Sequence, residues 1–105
     1  MIEKLLRDIE EAESRELSRA LKDHGEFSGR LEGWAKLLEE IEEAADELIA
    51  AFEGVMELKK SVLHGSMTES DERELLSKVH RRAQCGAAEL IQVAAMATKF
   101  RRLYR

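Results

Sequence analysis

No proline interrupts the 105 residues, and apolar side chains recur in steps of three and four along most of the chain. Proline ends helices by removing an amide donor and clashing with the preceding turn. A spacing of three and four returns side chains to one helical face. Leu31, Trp34, Leu38, Ile41, Ala45, Leu48, Phe52 and Val55 form one such seam, of the kind that lines a bundle. Leu37, Ala44, Ala51 and Leu58 widen it on one side. Leu76, Val79, Ala83, Gly86, Leu90, Val93, Ala97, Phe100 and Tyr104 form a second seam, flanked by Cys85, Glu89, Gln92 and Met96. A less regular stripe of Ile2, Leu5, Leu6, Ile9, Ala12, Leu17, Ala20 and Leu21 opens the chain. Glu, Leu, Ala, Lys and Arg dominate, and all favour helices. The expected fold is all-α, a bundle of three main helices over residues 2–22, 31–63 and from Thr68 toward the C-terminus.

Gly25, Ser28 and Gly29 mark the first connection, and His64-Gly65-Ser66-Met67 the second. Thr68, followed by Glu69, Ser70 and Asp71, reads as a helix start with acidic residues in the first turn. Gly86 costs helix stability of about 1 kcal/mol relative to alanine, so it implies close helix approach or a local break. The chain reads as one domain, 1–105, with an N-terminal helix (1–23) ahead of the remaining helices (24–105). Seams this long exceed what three helices bury among themselves. The expected core is therefore completed by oligomerisation, as a homodimer or homotetramer.

A formal net charge of -5 argues against sequence-independent binding to a nucleic-acid polymer. A small phosphorylated ligand bridged by a divalent cation remains compatible with it. Cys85 is the only cysteine, which rules out a disulfide within one chain and fits the cytoplasm. Beside Gly86 it reads as a small core residue. Met1-Ile2-Glu3-Lys4 lacks the apolar core of a signal peptide, and no stretch is apolar enough to span a membrane.

Two acidic clusters point to chemistry. Glu40 and Glu43 lie three apart on the second helix, at the border of the Leu37–Ala44 stripe. Glu89 and Gln92 lie three apart on the third. If these helices pack together, three carboxylates and an amide oxygen meet. Hard oxygen donors of this kind suit Mg²⁺, with Mn²⁺ as the alternative ion. Glu89 interrupts the apolar run Gly86–Ala97, where an unpaired buried carboxylate is costly. A metal ion or an arginine partner would relieve that cost.

The segment His24-Gly25-Glu26-Phe27-Ser28, the run Leu31 to Glu43 with its Glu39-Glu40-Ile41-Glu42-Glu43, and Ala88-Glu89-Leu90-Ile91-Gln92-Val93-Ala94-Ala95-Met96-Ala97 resemble the MazG-like nucleotide pyrophosphohydrolases. These belong to an all-α superfamily that carries EExxE on one helix and ExxD on a later one. The resemblance covers roughly residues 24–102. It implies Mg²⁺-dependent hydrolysis of a nucleoside triphosphate to monophosphate and pyrophosphate. It also implies that Glu40, Glu43 and Glu89 are metal ligands, and that Glu39 binds a second ion or orients water. Gln92 stands where the superfamily has aspartate, which removes one negative charge but leaves a neutral oxygen donor.

Lys36, Lys99 and Arg102 are candidate phosphate contacts. Phe27 is a candidate base contact and His24 a candidate contact to base or phosphate, with a surface-loop role for His24 and a core role for Phe27 as the alternatives. Trp34 lies on the seam and reads as core. Two other readings stay open. One is a helical interaction module without chemistry. The other is a nucleotide-binding protein that has lost hydrolysis, a reading motivated by Gln92.

Overall fold

A computed structural model describes residues 1–104. It consists of α1 (Ile2–His24), α2 (Arg30–His64) and α3 (Glu69–Arg101). The expected boundaries agree to within two residues at every helix end they fixed. Gly25 and Gly65, both with left-handed φ, stop α1 and α2 and return their amides to Leu21 and Ser61. Thr68 caps α3 by accepting a hydrogen bond from the Asp71 amide at 3.1 Å. Gly86 produces no break, and α3 is continuous.

α2 and α3 form an antiparallel hairpin. Gly33 lies against Phe100, Glu47 against Gly86, and Gly54 against Val79. At the hairpin's closed end, Ser61 donates to Glu72 at 2.6 Å. The helices approach most closely at Gly54, where an added Cβ would stand 2.6 Å from a Val79 methyl. At Gly33 it would stand 3.0 Å from the Phe100 ring. At Gly86, where the sequence implies close approach, the distance to Glu47 is an ordinary 3.5 Å.

The inward face of α2 differs from the expected seam. Gly33, Leu37, Glu40, Ala44, Glu47, Ala51, Gly54, Leu58 and Ser61 are buried or half-buried there. The longer seam, from Leu31 and Trp34 through Leu48, Phe52 and Val55, is exposed. Small side chains let two helices close together, so the narrower Leu37–Leu58 stripe takes the contact. The bulky seam lies about 100° further round the helix. Trp34 is therefore not core in this chain, being 55% exposed. On α3, Val79, Gly86, Val93 and Phe100 turn inward, while Leu76, Ala83, Leu90 and Ala97 stay exposed, as does Tyr104 just beyond the helix.

α1 packs across the C-terminal half of α3. Ala20, Phe27, Ala95 and Met96 form a small core there, joined by Leu17, Leu37, Phe100 and Leu103. Thr98 donates to Glu13 at 2.8 Å across the same contact. The first turns of α1, including Ile2, Leu5 and Leu6, are exposed. Glu26, in the α1–α2 connection, accepts hydrogen bonds from Arg102 that fix the loop to the end of α3. That pairing holds the Glu26 carboxyl below its usual range.

Candidate functional site

The antiparallel register brings the two acidic clusters together. Glu40 and Glu43 leave α2, Glu89 leaves α3, and one carboxylate oxygen of each lies within 4.8 Å of the others. Glu40 is buried, Glu89 half-buried and Glu43 exposed at the rim. Lys36 reaches Glu40 Oε1 at 3.0 Å and Glu39 at 3.6 Å. The bond to Glu40 raises the Lys36 pKa. Glu40 Oε2 and Glu89 Oε2 are buried and have no hydrogen-bond partner.

Burial pushes the Glu89 carboxyl above its usual range. Repulsion by Glu43, a hydrogen bond shared with it, and the charges of Glu40 and Glu47 push in the same direction. Among the described residues, no arginine forms an ion pair with Glu40, Glu43 or Glu89. Arg82 is engaged with Glu47 at 3.3 Å on the outer side. Two orphaned buried oxygens among three converging carboxylates are costly for the chain alone. A divalent cation with hard-donor preference would satisfy both, so the residues present fit Mg²⁺.

A cleft of about 460 Å³ opens beside this cluster, walled by all three helices. Glu40, Gln92, Met96, Lys36 and Lys99 are among its lining residues, and Glu40 is shared with the carboxylate cluster. Lys99 is 3% exposed, and its ammonium sits 4.2 Å above the centre of the Phe27 ring. Among the described residues, no carboxylate lies within 4.0 Å of it. Glu26 is near enough for the Lys99 charge to act on it, and an anion in the cleft would add a further counter-charge.

The sequence-derived candidates thus divide. Glu40, Glu43 and Glu89 converge. Gln92, Lys36, Lys99, His24 and Phe27 line the cleft. Glu39 is exposed and, among the described residues, paired only with Lys36. Phe27 belongs to the core and offers the cleft little of its ring, being buried under Lys99 and edge-on to Phe100. Arg102 does not line the cleft and is occupied by Glu26. Sequence reasoning missed Glu16, Arg19 and Glu32 as lining residues. The spacing of Glu16, Arg19 and Ala20 on one face of α1 is a signal for that wall, but nothing in the sequence says that α1 covers the cleft. Comparison with known protein families, curated proteins and solved structures finds no match to this chain.

Proposed function

We propose that the protein is a Mg²⁺-dependent nucleoside triphosphate pyrophosphohydrolase, releasing a nucleoside monophosphate and pyrophosphate. The observation that carries this reading is the pair of unpartnered buried oxygens, Glu40 Oε2 and Glu89 Oε2, in a three-carboxylate cluster whose Glu40 also lines a cleft with Lys36 and Lys99. The resemblance of the two acidic motifs to the MazG-like enzymes supplies the reaction class.

In this reading Glu40, Glu43 and Glu89 hold the ion, with the Gln92 amide oxygen as a neutral neighbour. The ion, when bound, neutralises phosphate charge and acidifies water. The chain's own part is positional and electrostatic. Lys99 supplies a fixed positive charge to the phosphates from inside the cleft. Lys36, 3.0 Å from Glu40, would be available to the phosphates were Glu40 to hold the ion. Water attacks the α-phosphorus, the bond from that phosphorus to the bridging oxygen breaks, and pyrophosphate leaves. Glu39, exposed and outside the ligand set, is the candidate to accept the proton that the water loses. His24 and Arg19, on the α1 wall, face the part of the substrate beyond the phosphates.

The test is a panel of NTPs and dNTPs incubated with Mg²⁺ or with EDTA, assayed for pyrophosphate. Metal-dependent release that disappears in Glu43→Ala is expected. An inert protein across the panel at several Mg²⁺ and Mn²⁺ concentrations would remove the proposal. Nucleotide binding without release, with release gained in Gln92→Asp, would replace it by the reading that hydrolysis has been lost.

A further inference from the structure

The carboxylate cluster already holds one cation, and it belongs to the chain. The Lys36 ammonium lies 3.0 Å from Glu40 Oε1 and 3.6 Å from Glu39. Among the described residues, Glu40 is the only member of the cluster with such a partner. The grip is one-sided. The Glu40 side chain is 7% exposed and that of Lys36 41%. Two features make the bond easy to release. Lys36 precedes Glu40 by four residues on α2, and a lysine ahead of its glutamate is the less favourable order for a helical pair. An ammonium on a flexible four-carbon stem also lacks the bidentate geometry of a guanidinium. Lys36 has another place to go, because it lines the cleft together with the buried Lys99.

A single ammonium is a poor match for this cluster. It engages one of the three carboxylates and leaves Glu40 Oε2 and Glu89 Oε2 buried without partners. A divalent cation brings twice the charge and takes several oxygens at once. Both cations cannot keep Glu40 at full strength, because like charges held on one carboxylate repel each other. A lysine that competes with the ion differs in sign from one that merely holds Glu40 in place for it. Removing the competitor tightens the metal, and removing the support loosens it.

We propose that Lys36 is a built-in competitor for the metal, a tethered counter-ion that an incoming divalent cation displaces from Glu40. Metal entry then moves a positive charge from the cluster to the cleft, where phosphate oxygens would meet it. By linkage, an anion that draws Lys36 into the cleft tightens the metal. The inference rests on the metal reading of Glu40, Glu43 and Glu89, and adds a residue that regulates that site without ligating the ion.

Electron paramagnetic resonance of free Mn²⁺, titrated with the full chain, reads metal affinity without substrate or turnover. Lys36→Met keeps the apolar stem and removes the charge. It is expected to lower the Mn²⁺ dissociation constant about two- to tenfold, the span from an exposed helical ion pair to a charge-assisted hydrogen bond. Lys36→Arg, which keeps the charge, is expected to bind no more tightly than wild type. Lys99→Met takes a charge from the cleft without touching the cluster, and is expected to change the constant less than Lys36→Met does. Circular dichroism checks the helices, and Lys36→Gln carries the same expectation should Lys36→Met lose them. Unchanged or weaker Mn²⁺ binding in the neutral Lys36 variants overturns the inference, because Lys36 then supports Glu40 or ignores the ion. Equal tightening in Lys99→Met overturns it too, since the cause is then net charge. Wild type that binds no Mn²⁺ removes the metal reading and this inference together. Wild type that binds, with no gain in the neutral Lys36 variants, overturns this inference alone.

Discussion

Replacing Glu89 by glutamine should stabilise the metal-free protein and remove its response to Mg²⁺. The side chain keeps its shape and loses its charge. The Glu40, Glu43 and Glu89 oxygens lie within 4.8 Å of one another. Unit charges at that separation repel by about 3.5 kcal/mol at an effective dielectric of ~20, and by about 0.9 kcal/mol in water. The site is half open, so a relief of about 1–2 kcal/mol is expected. For a domain of this size that is a rise in metal-free Tm of roughly 5–10 °C. The pH dependence has a definite sign. The Glu89 carboxyl titrates above its usual range in the fold. The protonated form is therefore the one the fold favours. That contribution is fully present below the unfolded carboxylate pKa of ~4.3 and is lost as pH rises through the raised folded value. Glu89→Gln should remove this decline, so its advantage over wild type grows from acid to neutral pH. Wild type should gain about 2.7 kcal/mol at Mg²⁺ concentrations ~100-fold above Kd, and Glu89→Gln almost none. Thermal melts with EDTA and with Mg²⁺ over a pH series measure all three effects. A lowered metal-free Tm, or an undiminished Mg²⁺ shift, would refute the reasoning.

Gly54→Ala should cost about 1–2 kcal/mol in urea unfolding, because its Cβ meets a Val79 methyl at 2.6 Å and the overpacking outweighs the helix-propensity gain. Gly86→Ala should instead be neutral or stabilising by up to ~1 kcal/mol, since its Cβ meets only an ordinary contact at 3.5 Å. Ser61→Ala, which strips Glu72 of its hydrogen-bond donor at the closed end of the hairpin, should cost about 1–3 kcal/mol in the same assay. Lys99→Met should raise KM for any nucleotide substrate at least tenfold while the fold persists, whereas Arg102→Ala should leave KM unchanged, because Arg102 serves Glu26 rather than the cleft.

The periodicity of the chain contains the helix number, the two glycine-marked connections and the Thr68 cap. These are local, and local rules decide them. Which apolar stripe turns inward is not local. The Leu31–Val55 seam is the more hydrophobic one, yet the small residues Gly33, Ala44 and Gly54 permit the closer approach and take the contact. Burial of the longer seam needs a surface that one chain does not provide. The convergence of Glu40, Glu43 and Glu89 was legible because a three-residue spacing on two packed helices leaves few other arrangements. The α1 wall of the cleft was not, since its position depends on a small core of Ala20, Phe27, Ala95 and Met96 formed across long sequence separations. Arg102 resembled a phosphate contact by charge alone, and its pairing with Glu26 shows how little charge alone decides.

The three glutamates are proposed to direct hydrolysis of a triphosphate at its α-phosphorus. ³¹P NMR of an NTP turned over by the wild-type protein in Mg²⁺ tests this most directly. Monophosphate and pyrophosphate appearing together in equal amounts, and not at all with Glu43→Ala, is the predicted result. Orthophosphate with diphosphate as the products, or release undiminished in Glu43→Ala, would contradict it.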